Sequence, residues 1–235
     1  MVPLTKRIEL ELKKWSVFNL YTLSKYGATP TYAKTIVKRW MKTRKIIRIT
    51  KGLYTFHEDP MIIASHITYP SYLGLWSALR FHEITTQLPQ KLFVLVSKYR
   101  KSIEFKSTEI RFVQTKFLWG YQKYNFRGFE ISVSNIEKTI VDGLYLHLLP
   151  LEQIWSAAKR ADVMVLESYA LKTRQKSIIK RIGYLLQHAC DYFSETLHQI
   201  PAKKTIFLDI LRPSNGPIDP IWKLKINVRL EDDIY

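Results

Sequence analysis

The apolar positions of the first sixty residues change period more than once. Leu4, Ile8, Leu12 and Trp15 recur at three- and four-residue intervals, which places them on one face of a helix. Val17-Phe18 reads as a short extended link. Leu20 to Lys25 follows as a brief second helix ended by Gly27, the residue that most easily leaves a helix through positive φ. Thr29-Pro30 opens a third helix, with a hydroxyl N-cap followed by proline at the first helical position, where its missing N–H costs nothing. Ala33, Ile36, Val37, Trp40 and Met41 form its apolar stripe. The period then shortens. KIIRITKGLYTF (45–56) holds two β-branched or aromatic runs pinched around Lys51-Gly52, the pattern of a hairpin. Ile46, Ile47, Leu53 and Phe56 are expected to include the residues that anchor it.

Beyond Glu58-Asp59-Pro60 the pattern predicts a helix from Asp59-Pro60 to Ile67 and another from Pro70-Ser71 to Phe81. Strand-like runs follow at 92–97, 102–106, 109–114 and 129–134, with separations short enough for an antiparallel or mixed sheet. SNIEKTIVDGLYLHL (134–148) reads as a helix whose Ser134 and Glu137 have capping-box spacing and whose Lys138 and Asp142 can pair on an exposed face. Helical runs at 154–163 and 178–189 precede two strand-like runs, 205–210 and 221–230, split by Pro213-Ser214-Asn215-Gly216-Pro217. The expected class is α+β, with a domain of residues 1–58 followed by a larger mixed domain of residues 59–235.

Charge sharpens this division. The 235 residues carry a net charge of +17, an excess that points to a polyanionic partner. From Leu12 to His57 the chain has eleven lysines and arginines and no aspartate or glutamate. Three helices and a hairpin with this charge follow the order of a winged helix-turn-helix. In that arrangement the third helix enters the major groove. Its polar residues reach base edges while its cations bind phosphate. Thr31, Tyr32, Lys34, Thr35, Lys38, Arg39 and Lys42 are the helix candidates, and Arg48, Thr50 and Lys51 those of the hairpin tip. Duplex DNA is favoured over RNA because a helix fits the major groove of B-DNA but not that of an A-form duplex. Lys172, Arg174, Lys176, Lys180 and Arg181 make a second basic cluster, read as either a solvated face or an accessory contact. A winged helix can also dock proteins, so an acidic protein partner stands beside DNA.

Catalytic chemistry is sparse. The chain lacks a Gly-rich phosphate loop, an HExxH and a GxSxG. Its single cysteine, Cys190, precludes an intramolecular disulfide and argues against a thiolate zinc site. Glu137, Lys138 and Asp142 could supply the acids and lysine of a metal-dependent nuclease, but capping and pairing explain the same three residues. No catalytic residue, metal or cofactor is therefore expected. No apolar run reaches the length of a membrane span and no leader is evident, which predicts a soluble, cytoplasmic protein.

Several segments together resemble the AbiEi antitoxins of type IV toxin–antitoxin systems. They are Gly52-Leu53-Tyr54 at the hairpin, Ser71-Tyr72 with Ser77-Ala78-Leu79, and Thr86-Gln87-Leu88-Pro89, followed by Ser134 with Glu137-Lys138, then KRIGYLLQ (180–187) and IWKLKINV (221–228). His82-Glu83-Ile84 departs from the His-Gly-Leu usual in that family. The resemblance implies a protein that binds inverted repeats upstream of its own operon and represses it; the symmetry of such repeats would match a homodimer or two monomers side by side. The resemblance also implies antagonism of a cognate nucleotidyltransferase toxin. A stand-alone winged-helix regulator would share the same sequence features.

Overall fold

The computed structural model describes residues 2–87, 90–201, 204–212 and 216–230. Its helices and strands make an α+β fold that divides into two compact units. The first comprises Met1–Leu73, Pro89–Gln114 and Lys123–Ser132, and the second Gly74–Leu88, Thr115–Gln122 and Val133–Tyr235. The junction at Glu58-Asp59 thus lies inside the first unit. There Lys106 holds Glu58 at 2.6 Å and Arg127 holds Asp59 at 2.7 Å.

The first unit opens with α1 (Leu4–Leu12), α2 (Leu20–Ser24) and α3 (Pro30–Lys42). α1 buries Ile8 and Leu12, but Trp15 lies past its end and is 41% exposed. The predicted start of α3 is present: Tyr32 N–H donates to Thr29 Oγ1 at 3.3 Å, and Pro30 follows the cap. Ala33, Ile36, Val37 and Trp40 point into a core shared with Ile8, Leu12, Phe18, Leu23 and Ile46. The hairpin is β1 (Ile47–Thr50) and β2 (Leu53–Thr55), paired Ile47 to Thr55 and Arg48 to Tyr54. Gly52 turns it at φ +82°, where any side chain would be strained although space is open. Ile46 and Ile49 are the hairpin's buried anchors, whereas Ile47, Leu53 and Phe56 are half-buried. The link after α1 is extended as expected. Phe18 exchanges backbone bonds of 2.9 and 2.8 Å with Tyr54, adding a third extended segment beside β2.

A cluster around Glu9 ties α1 to the hairpin's base. Glu9 is 5% exposed and is met by Lys45 at 3.1 Å, Lys13 at 3.4 Å and Lys6 at 3.9 Å. Burial alone would raise its pKa. The Lys45 hydrogen bond and the charges of Lys45 and Lys6, helped by Lys13, outweigh that and hold it below the usual glutamate value.

The chain continues through α4 (Pro60–His66), capped by the Asp59 carboxylate on Met61 N–H at 2.9 Å, and β3 (Ser71–Leu73). The helix expected from Pro70 is absent until α5 (Trp76–Phe81). Its first residues instead pair with β4 (Lys91–Val96), Tyr72 opposite Leu95 and Leu73 opposite Val94. A short buried run such as Ser71-Tyr72-Leu73 fits a strand as well as a helix, and here pairing with β4 decides. β5 (Ile103–Phe105), β6 (Thr108–Gln114), β7 (Tyr121–Phe126) and β8 (Phe129–Ser134) complete a six-stranded sheet in the order β5-β6-β4-β3-β8-β7. β4 runs parallel to β6, while β3 is antiparallel to β4 and β5 to β6. β7, with its polar Gln122, Lys123 and Asn125, was not predicted. It occupies a sheet edge, where few side chains are buried.

In the second unit α6 (Ile136–Leu146) packs against α5, α7 (Leu151–Ala158), α8 (Val163–Thr173) and α9 (Lys176–Ala189). The run expected as one helix at 154–163 breaks after Ala158, because Asp162 caps α8 on Met164 and Val165 N–H. After α10 (Glu195–His198) come three two-residue strands, β9 (Ile206–Phe207), β10 (Ile218–Asp219) and β11 (Leu224–Lys225). β11 is parallel to β9 and antiparallel to β10, so the last two predicted strands are far shorter than expected. Gly183 on α9 has no side chain to obstruct Trp222, whose indole N–H donates to Gln187 at 2.6 Å. Leu88-Pro89 of the predicted turn and Pro213 to Asn215 of the predicted loop lie outside the described residues.

The start of α6 corrects two expectations. Asn135, not Ser134, is the N-cap, accepting from Lys138 N–H at 2.9 Å, while Ser134 Oγ lies 2.8 Å from Thr139 Oγ1. Glu137 caps another segment instead, accepting from Asp162 N–H at 2.8 Å. Lys138 and Asp142 do pair, but both side chains are fully buried rather than on an exposed face. Trp119 covers the ammonium at 5.0 Å from its ring centre. Burial drives the Lys138 pKa down and the Asp142 charge opposes it.

Two stability measurements follow from these charges. Lys138→Ala strands a buried carboxylate and is expected to cost about 3–5 kcal/mol in urea unfolding, while Lys138→Met combined with Asp142→Leu recovers most of that loss. Glu9→Gln is expected to cost about 1 kcal/mol at pH 7, discounted because its lysine partners are half exposed. Because the folded-state pKa of Glu9 is depressed, its contribution is present above the ordinary value of 4.5 and is lost as pH falls through the lower folded value. The two proteins should converge in stability on acidification. A gap that persists there would assign the loss to packing.

Candidate nucleic-acid interface

With 3.6 residues per turn, the residues of α3 opposite its buried stripe are Thr31, Thr35, Lys38 and Lys42, which form an exposed ridge. Tyr32 and Arg39 flank the ridge on one side, Lys34 and Met41 on the other. The Tyr32 hydroxyl lies 2.8 Å from Thr5 Oγ1, so that flank is tied to α1. Thr35 turns its hydroxyl proton back to the Thr31 carbonyl at 3.1 Å and presents its lone pairs outward. Met41, expected in the buried stripe, is 37% exposed.

The other flank faces the hairpin. Lys34, Lys38 and Met41 from α3, Leu20 from α2, and Arg48 and Tyr54 from the hairpin line a cleft of about 340 Å³. This brings three of the predicted cations, Lys34, Lys38 and Arg48, to one concave surface. Arg48 spends its Nε–H on the Thr50 carbonyl at 3.3 Å, which holds the guanidinium along the strand. Thr50 is half-buried, and Lys51 stands exposed at the turn. Thr31, Tyr32, Thr35, Arg39, Lys42, Thr50 and Lys51 do not line the cleft. Leu20, Met41 and Tyr54 do line it and were not predicted. The hairpin register could have identified Tyr54, because the cross-strand partner of an outward Arg48 shares its face.

The cations of the acid-free stretch separate by their partners. Lys13 and Lys45 converge on Glu9, and Lys14 lies 2.9 Å from Glu11. Lys25 sits over the Tyr21 ring at 5.4 Å. Among the described residues, Lys34, Lys38, Arg39, Lys42, Arg44, Arg48 and Lys51 have no carboxylate partner. The acids of α1 are saturated by nearby lysines, and the surface of α3 and the hairpin tip keeps its positive charge unneutralised. Such a surface attracts a polyanion and is screened by salt.

The second basic cluster does not form one surface. Lys172 on α8 lies over Trp119 at 4.6 Å, Arg174 ends that helix at φ +54°, and Lys176 begins α9. These three are exposed. Lys180 and Arg181 are buried, contrary to the reading of a basic patch. Lys180 donates to the Lys204 carbonyl, and Arg181 to the carbonyls of Phe207 at 2.9 Å and Leu208 at 3.0 Å. The segment at 204–208 lies over α9, and its carbonyls take their donors from these two side chains.

Among the described residues no helix is long and apolar enough to cross a membrane. No protein-family model matches the chain, and no curated protein matches it. Among solved structures, the chain is similar to the crystal structure of the RV2827C protein from Mycobacterium tuberculosis. The TM-score is 0.62 over 95% of this chain and 92% of that one, at 12% sequence identity. The likeness is one of fold.

Proposed function

We propose that this chain is a non-enzymatic, sequence-specific DNA-binding transcriptional regulator whose first three helices and hairpin act as a winged helix-turn-helix. The observation that carries the reading is the set of exposed cations on α3 and the hairpin tip without a carboxylate partner: Lys34, Lys38, Arg39, Lys42 and Lys51. A mixed-sign solvated face would carry interspersed acids. A helix of about 10–12 Å diameter fits the major groove of B-DNA, about 12 Å wide. In this reading Thr31, Tyr32 and Thr35, near the start of α3, face base edges. Lys34, Lys38, Arg39 and Lys42 bind phosphate or guanine. Arg48, Thr50 and Lys51 lie against the backbone or the minor groove. The burial of Lys138 and Asp142, and the use of Glu137 as a cap, support a structural role for the three residues that most resembled a nuclease site.

The biological role rests on the resemblance to AbiEi antitoxins. The protein would bind inverted repeats upstream of its own gene, repress it, and counteract a nucleotidyltransferase toxin encoded beside it in the cytoplasm. Co-expression separates this role from that of a stand-alone regulator. Rescue of growth from the neighbouring nucleotidyltransferase is the expected result, and no rescue by a well-expressed protein would overturn it.

The DNA contact is tested by fluorescence anisotropy on duplexes from the gene's upstream region over a range of salt. Replacing Lys34, Lys38 and Arg39 together by alanine is expected to weaken binding about 100-fold or more. Replacing Lys172, Arg174 and Lys176, an equal loss of charge, should change it by no more than about threefold. Comparable losses would overturn the assignment to α3. Lys51→Ala is expected to weaken all sequences about equally and to reduce the salt slope by about 1.

A further inference from the structure

We infer that the second unit binds a small organic anion with an apolar or aromatic body, in a cavity bounded by α6, the start of α9 and the segment at 205–210. The cavity measures about 500 Å³, within the range that holds a small ligand. Leu144, Tyr145, Ile178, Ile206 and Phe207 give it apolar walls, and Arg181 supplies a charge.

Arg181 is the unusual element. It is 5% exposed, and none of its hydrogen bonds goes to an acid. Its Nε and Nη2 are occupied by the Phe207 and Leu208 carbonyls, while Nη1 has no partner among the described residues. Asp209 is the carboxylate whose charge favours it, yet that carboxylate is engaged by Leu211 N–H at 2.8 Å and by Arg212 at 3.4 Å. Taking a guanidinium out of water is costly unless an anion or a full set of acceptors replaces the solvent. Here the carbonyls fix the plane of the group and leave Nη1 without a hydrogen bond among the described residues.

The polar residues that line the cavity with Arg181 fit an anionic head. Ser177 lies four residues before Arg181 on the same face of α9 and lines the same cavity. Gln175, the N-cap of α9, makes no side-chain capping bond, so its amide is free to turn inward. His147, held in a left-handed conformation at the end of α6, completes the polar side. A carboxylate or phosphate on Arg181, with its apolar body against Tyr145, Ile178 and Phe207, uses both characters of the cavity. A polyanion does not, because the guanidinium is too deep for a polymer backbone to reach.

Anilinonaphthalene sulfonate, a fluorescent anion with an aromatic body, serves as the probe on the full chain. Benzoate or phenyl phosphate is expected to displace it at least ten times more effectively than neutral benzamide. The better of the two acids assigns the head group. Arg181→Lys should weaken dye and acid binding about tenfold. Because Arg181 also braces the segment at 205–210, Ile210→Trp provides a second test. Ile210 lines the cavity and is 52% exposed, so an indole there should close the entrance without loss of helical circular dichroism or of duplex binding. Equal competition by benzamide, or unchanged dye affinity in a folded Ile210→Trp protein, would overturn the inference.

Discussion

The indole of Trp40, only 2% exposed, meets the edge of the Phe56 ring at 5.2 Å, and Phe56 stacks on Phe18 at 5.3 Å. Phe18 in turn shares backbone hydrogen bonds with Tyr54. These rings belong to the third helix, the residue after the hairpin and the link after the first helix, so two ring contacts that share Phe56 join three pieces. Each pair contributes on the order of 1 kcal/mol beyond area burial, but the geometric effect is larger than the energy suggests. With Trp40 inward, the rotation of α3 about its axis is fixed. Rotation by one residue would bring Lys34 toward the core and expose Ile36, or, in the other sense, bring Arg39 inward and expose Val37. The outward ridge of Thr31, Thr35, Lys38 and Lys42 is therefore a consequence of what is buried behind it.

The same constraint decides which cations remain available. Lys45 follows the end of α3, where Arg44 adopts φ +53° and redirects the chain toward α1. That turn delivers Lys45 to Glu9 and separates it from the cations of the ridge. Charges of one sign in the sequence are sorted by the backbone into a structural group and a presented group. For Lys45 that assignment follows the left-handed turn at Arg44, whereas Lys13 and Lys14 find Glu9 and Glu11 by helical spacing alone.

The first sixty residues were the most legible part of the chain because their signals are local. Thr29-Pro30 marks a helix start, Lys51-Gly52 a turn, and the Ala33 to Trp40 stripe a buried face, and none depends on a distant partner. The structure reproduces all three. Legibility failed where tertiary contacts override local pattern. Tyr72 and Leu73 are strand because β4 lies beside them. Lys138 and Asp142 appear from their spacing to be a surface pair, and only the helices packed around α6 and the ring of Trp119 show that they are buried. Lys180 and Arg181 were misread for the same reason: a charged residue on a helix is assumed to face water until a remote carbonyl claims it. The cleft beside α3 was half legible. Its cations were evident from the acid-free stretch, while Leu20, Met41 and Tyr54 required the fold to bring them together.

The acid-free stretch has a further consequence for how the first unit responds to its ionic surroundings. Among the described residues, seven cations without carboxylate partners (Lys34, Lys38, Arg39, Lys42, Arg44, Arg48 and Lys51) repel one another across α3, its end and the hairpin. Mobile anions relieve that repulsion, while they also screen the ion pairs that Lys45, Lys13 and Lys6 make with Glu9. The same ions compete with any polyanion drawn to the surface and loosen its hold. Self-repulsion within the surface and its pull on a polyanion are screened together. In the role we propose for this surface, a polyanion would act as the region's own counterion.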